Sequence, residues 1–265
     1  MKKTLSAFLI FLSITAYSQT QPINTITWIS GSLGGLRFYG DQVNFNFDNY
    51  ESFKKYYLTK DTLVMIDDYT TSADSFKNRH VDLFKFLIIQ PDAQTLTLIP
   101  ANANVKKIAD MPSYNFKDIK HIEDREIKFT RLHLKAGPCY GTCPSLDIDI
   151  DNKGVYYLKG ERYTEPYNGY FKGKLSTDQL DSLNYFIQHS EVEKMQGWKQ
   201  KMVVMDTPPY YLTIYYNRKK LKLQTNYPPM TISDLINFIL QSYKKVALLP
   251  DPEKHEFDEG PYEPF

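Results

Sequence analysis

The sequence predicts an α+β protein: an N-terminal antiparallel β-rich domain followed by an antiparallel sheet with two helices on one face. Three observations carry the prediction. Short alternating apolar and polar runs fill the first half without helical periodicity. The second half reads strands, helix, strands, helix, and helices segregated from hairpin-linked strands make an α+β layer. The first of those helices has a marked start, because Ser176-Thr177-Asp178-Gln179 has the capping-box form.

Residues 1–18 read as a secretory signal, with Lys2 and Lys3 as the charged start, Leu5 to Ile14 as the apolar run and Ala16-Tyr17-Ser18 as a small-x-small cleavage site. The run is about ten residues, half the roughly 20 of a membrane-spanning helix. No cysteine stands at the cut to carry a lipid anchor. A periplasmic or secreted protein without a membrane span is expected. Lys2 and Lys3 leave with the signal, so 32 basic against 31 acidic residues become 30 against 31, a balance that points away from a nucleic-acid partner.

In the expected β-rich domain, residues 19–110, the strand-like runs are Thr25 to Ile29, Val43 to Phe47, Phe53 to Leu58, Thr62 to Ile66, Leu83 to Ile89 and Thr95 to Ile99. Lys60-Asp61 and Pro91-Asp92-Ala93 supply turn chemistry for two hairpins. Trp28, the glycine-rich stretch Gly31-Ser32-Leu33-Gly34-Gly35 and the meandering strands resemble the opening of secreted lipocalin-like domains. That resemblance covers about a hundred residues, fewer than a full closed barrel of that type needs, and carries over no binding residue. Residues 101–120 have the weakest periodicity, with Pro100 and Pro112 as breakers, and mark the domain boundary.

The second domain, residues 120–250, opens with strands at Ile127 to Leu134, Leu146 to Ile150, Val155 to Lys159 and Gly169 to Lys174. Leu180, Leu183 and Ile187 mark one face of the first helix. A hairpin follows, Tyr210 to Tyr216 and Lys220 to Thr225, turning at Asn217-Arg218-Lys219, and a second helix starts near Thr231. Residues 251–265 hold six carboxylates against one lysine, among three prolines, and read as a disordered acidic tail.

The two cysteines, Cys139 and Cys143, stand in Gly137-Pro138-Cys139-Tyr140-Gly141-Thr142-Cys143-Pro144. In an exported protein two thiols four positions apart are expected to be oxidised to each other, fixing a turn whose Gly141 can take positive φ. Cys139-Tyr140-Gly141-Thr142-Cys143-Pro144, the alternating Leu146, Ile148 and Ile150, the turn Asp151 to Gly154, then Val155-Tyr156-Tyr157 and Gly160, resemble an uncharacterised family of bacterial secreted domains over about residues 125–248. Its pattern is Cys-x-Gly-x-Cys-Pro, strand, Asp-Gly turn, strand. Ser145-Leu146 stands where that family often has tyrosine, and Asn152-Lys153 is interposed before the turn glycine. The family has no assigned activity, so the resemblance implies fold and compartment only.

The motif also resembles the CxxxCP copper site of thioredoxin-like copper chaperones. That resemblance implies Cys139 and Cys143 as ligands with His133 or His189 as a third, soft thiolates being selective for Cu(I). Against it, reactive thiol pairs sit at helix N-termini, whereas Leu146 to Ile150 alternates like a strand. Asp147, Asp149 and Asp151 have the spacing of the first calcium-loop ligands, but Asn152 stands at the obligatory glycine, so these carboxylates are expected to face water from a strand.

Arg218, Lys219, Lys220 and Lys222 form a basic patch on the second hairpin, open to two readings, a grip on an anionic polymer or ordinary protection of a sheet edge. Tyr163, Tyr167 and Tyr170 are candidates to stack on sugars or hold a peptide, and equally suit a pleated surface. The five histidines show no metal spacing, and HExxH, GxSxG and P-loop motifs are missing from the sequence. The resulting expectation is a non-enzymatic interaction or structural module of the cell envelope, without cofactor, whose partner is a protein or glycan there. The alternative is a copper-binding or thiol-redox protein using the CxxxCP motif.

Overall fold

The computed structural model describes residues 22–47, 50–109, 111–200 and 204–257. Residues 1–18, expected to be a secretory signal, and residues 258–265 of the expected tail lie outside them. The chain is mostly antiparallel β-structure in two sheets, with three α-helices among the described residues.

The first sheet is β1 (Trp28–Ser30), β2 (Gly35–Tyr39), β3 (Gln42–Phe47), β4 (Tyr50–Leu58), β5 (Thr62–Tyr69), β6 (His80–Ile89), β7 (Thr95–Pro100) and β8 (Tyr114–Asp118). Each strand pairs with the next, and β8 pairs with β1 to close a barrel. About a hundred residues therefore suffice for closure, contrary to expectation, because tight connections leave most of the chain in strands. Alternation aims one set of side chains inward, as in β7, where Leu96, Leu98 and Pro100 are buried between less buried neighbours. An eight-stranded barrel is just wide enough for side chains to fill. Here Phe45, Phe86 and Tyr114 touch across the interior, their ring centroids 5.3 to 6.4 Å apart.

Two barrel strands fall where the sequence reading placed none. Gly35 opens β2 rather than a loop, paired with Ile29 and Asn46, and the position takes glycine because a Cβ there would stand 2.8 Å from the Trp28 carbonyl and 2.5 Å from Met230 Sδ. The segment 101–120 holds α1 (Ala103–Ile108) and β8, so the barrel runs to Asp118 rather than ending at residue 110. Tyr114 and Phe116 point into the barrel, an alternation too short to register beside Pro112.

The second sheet contains β9 (Phe129–Ala136), β10 (Ser145–Asp151), β11 (Val155–Arg162), β12 (Gly169–Lys174), β13 (Tyr210–Tyr216), β14 (Lys219–Thr225) and β15 (Leu249–Pro250), in the order β14-β13-β9-β10-β11-β12-β15. Between β12 and β13 lies α2 (Thr177–Gln188), and after β14 comes α3 (Met230–Ser242). The capping box is formed: Gln179 N–H donates to the Ser176 hydroxyl at 3.2 Å, and Ser176 N–H donates to Gln179 Oε1 at 2.8 Å. Leu183 and Ile187 of α2 and Ile232, Leu235 and Ile239 of α3 join Leu132, Leu134, Leu146, Ile148 and Ile150 in one buried cluster, separate from the barrel core.

The two units meet through a fork–fork ion pair, in which Arg37 Nη1 and Nη2 each lie 2.7 Å from an Asp234 carboxylate oxygen. Leu33, from the loop after β1, is buried in the sheet cluster.

Candidate binding surfaces

Because strand side chains alternate, seating Leu146, Ile148 and Ile150 in the core turns Asp147, Asp149 and Asp151 to the other face of β10. The register lines up cross-strand rows on that face. One runs Lys222, Thr213, His133, Asp149, Tyr157, Lys172 from β14 to β12. Its neighbour runs Tyr211, Lys135, Asp147, Lys159, Tyr170.

The expectation that these aspartates face water is overturned for two of the three. Asp147 and His133 are fully buried and Asp149 is nearly so. His133 Nε2 lies 3.2 Å from Asp147 Oδ1, and Lys135 Nζ is 3.8 Å from Asp147 Oδ2. Arg131 Nε donates to both Asp149 oxygens at 2.9 Å. His133 Nδ1 and Asp147 Oδ2 have no hydrogen-bond partner among the described residues. On the next strand, the Lys159 ammonium 3.0 Å away holds the Glu161 carboxyl below the usual carboxylate range, helped by the Ser145 hydroxyl.

A segment expected to be disordered crosses this face. Asp251 N–H donates to the Tyr170 carbonyl, and the buried Asp251 carboxylate accepts the His255 N–H. The His255 ring stacks on Tyr157 at 3.8 Å with planes 6° apart, while its Nε2 lies 3.1 Å from Asp149 Oδ2. The Phe257 ring stands 5.9 Å from that of His133. The acidic composition of the tail concealed this seat; the alternation Arg131, His133, Lys135 against Leu132, Leu134, Ala136 was the available signal of a polar face.

The cysteines are bonded to each other in the connection from β9 to β10. Gly141 does not use the positive φ open to a glycine, and its N–H donates to Cys139 Sγ at 3.2 Å. The sterically constrained glycine is Gly137, where a Cβ would meet Pro209 Cγ at 2.6 Å. Closing so short a loop restricts the unfolded chain little, so replacing both cysteines by serine is expected to cost about 2 kcal/mol in chemical unfolding. A loss above about 4 kcal/mol would contradict a purely local constraint.

The four candidate copper ligands are not brought into one site. His133 is engaged by Asp147, whereas His189 caps α2, with Nδ1 2.7 Å from the Tyr185 carbonyl and its ring stacked on Tyr185. Among the described residues, no group of three or more His, Cys, Asp or Glu side chains is placed to hold a metal ion.

The basic patch divides. Lys219 pairs with Glu193 at 2.9 Å, and Lys220 lies over the Tyr215 ring and donates to its hydroxyl. Lys222 ends the polar row, and Arg218 sits in the turn, left-handed like Asn217. Of the tyrosines, Tyr163 is 46% exposed, Tyr170 is on the polar face and Tyr167 packs edge-on to Phe171 and Tyr243.

One end of the second sheet gathers exposed large side chains. Tyr140, in the disulfide loop, is 91% exposed. Tyr163 follows β11 at that end, on left-handed backbone, and Met205, 79% exposed, precedes β13.

Fold and surfaces together define a two-unit β-rich protein, a filled barrel joined to a sheet with a disulfide-closed hairpin. Residues 130–243, from β9 to just past α3, match the model of a family described as a domain of unknown function, DUF6438, which fits the expectation of an uncharacterised domain there. No curated protein and no solved structure matches the chain. No helix among the described residues is long and apolar enough to cross a membrane.

Proposed function

We propose that this protein is an exported, non-enzymatic interaction module of the bacterial cell envelope, touching its partner through the disulfide end of the second sheet. In this reading α2 and α3 together cover one face of the sheet and leave the loop end free. The observation that carries it is Tyr140, 91% exposed on a loop closed by Cys139–Cys143. An aromatic held on a locked loop gives up little conformational entropy on binding. Tyrosine and methionine are enriched at protein interfaces, which favours a protein over a glycan as partner. The signal-like residues 1–18 support export.

The test is a photo-crosslinking side chain at position 140 of the full chain in cells that export it, with position 153, in the β10–β11 turn at the opposite end of the sheet, as control. A discrete envelope adduct from 140 alone is expected, on a chain whose mass begins at residue 19. No adduct at 140, or the same adducts from both positions, overturns the reading, and loss of the adduct to glycosidase rather than protease makes the partner a glycan.

A further inference from the structure

The polar face of the second sheet already holds a segment of the chain itself, a turn at Asp251 to Lys254 followed by His255 to Phe257. We propose that the row Lys172, Tyr157, Asp149, His133 is a docking track for a peptide, filled here in cis by Asp251 to Phe257. A partner protein presenting an imidazole with an aromatic ring two residues on is the chemistry that takes that segment's place. This surface is separate from the disulfide end, and the inference does not depend on the function proposed for that end.

The segment follows the row strand by strand. Asp251 lies 3.5 Å from Lys172 Nζ on β12, His255 sits on Tyr157 of β11 and reaches Asp149 of β10, and Phe257 arrives beside His133 of β9. After the turn that ends at left-handed Lys254, His255 and Phe257 are half-buried while Glu256 between them is exposed, so the two rings face the sheet and the carboxylate faces away. The track is therefore built to receive a flat ring, a hydrogen-bonded nitrogen and a second ring at fixed spacing.

The cis segment is also an incomplete occupant. His133 Nδ1 and Asp147 Oδ2, both on the track's side of the sheet, are buried without a hydrogen-bond partner among the described residues. Leaving such atoms unsatisfied forfeits the desolvation each has undergone. A peptide that offers the same two rings plus a donor toward Asp147 satisfies what Asp251 to Phe257 does not. This is what makes the track open to exchange.

The test uses the full-length chain with residues 251–257 replaced by an equal length of Gly and Ser, and a fluorescein-labelled peptide of residues 251–257 followed by anisotropy. A tethered segment competes at an effective concentration on the order of mM. The peptide is therefore expected to bind the replaced chain at least about tenfold more tightly than the native chain. The peptide carrying H255A should lose about tenfold or more of that affinity. Equal binding to native and replaced chains overturns the proposal, as does a peptide indifferent to H255A. If circular dichroism shows the replaced chain unfolded, H255A/F257A in the full chain supplies the same comparison.

Discussion

His133→Ala is expected to lower the stability of the sheet unit by about 3–5 kcal/mol in urea unfolding, the cost of breaking a buried charged or hydrogen-bonded pair by removing one partner. The side chains of His133 and Asp147 are 0% and 1% exposed, so the carboxylate left behind cannot be rehydrated without opening the face. Lys135 Nζ stands 3.8 Å away, beyond hydrogen-bonding distance, and Lys159 faces that carboxylate from β11. Taking both polar groups away tests the cause. His133→Leu with Asp147→Leu removes the uncompensated group along with its partner and is expected to recover most of the loss, so the cycle shows strong coupling. A His133→Ala chain within about 1 kcal/mol of the native one would mean that water reaches Asp147, and the idea of a dry polar network would fail.

Trp28→Ala is expected to cost the barrel about 3–5 kcal/mol, the usual range for deleting a fully buried large aromatic. Trp28 is wholly buried, and its indole Nε1–H donates to the Ile23 carbonyl at 2.8 Å. It stands on β1, which pairs with β2 through Trp28 and Ile29 and with β8 through all three of its residues, so the strand that closes the barrel loses its main anchor. The variant carries its own reporter, because the remaining tryptophan, Trp198, packs against the sheet cluster. Far-ultraviolet circular dichroism should show an early loss of strand signal while Trp198 fluorescence changes later. Coincident transitions would instead show that Leu33 and the Arg37–Asp234 pair bind the two units into one cooperative body.

Much of the β-architecture was legible because half-buried strands alternate, and alternation survives in sequence without knowledge of partners. The capping box at Ser176 and the paired cysteines were legible for the same reason, being local. What escaped depends on contacts between distant residues. A glycine stands in β2 at position 35 because Met230, nearly two hundred positions later, fills the space a Cβ would take. Asp149 looks like a solvated strand residue until His255, more than a hundred positions on, reaches it, and Asp147 looks like one until strand pairing sets His133 beside it. The tail misled through composition, since carboxylates and prolines describe the average residue of the segment and not His255 and Phe257, which make the contacts.

The neighbour-to-neighbour order of the barrel bears on the sequence of events as the chain emerges from its N-terminus. Every pairing from β1 to β7 joins consecutive strands, so loop-closure entropy is small at each step and zipping can follow the chain as it emerges. The barrel needs only β8 to finish, and Asp118 is out before β9 begins. The second sheet must wait, because β9 is flanked by β13, which starts some 80 residues later at Tyr210. A nascent chain thus holds a completed first unit while half of its second sheet is still to come, and its exposure to misassembly falls on the interval between β10 and β13.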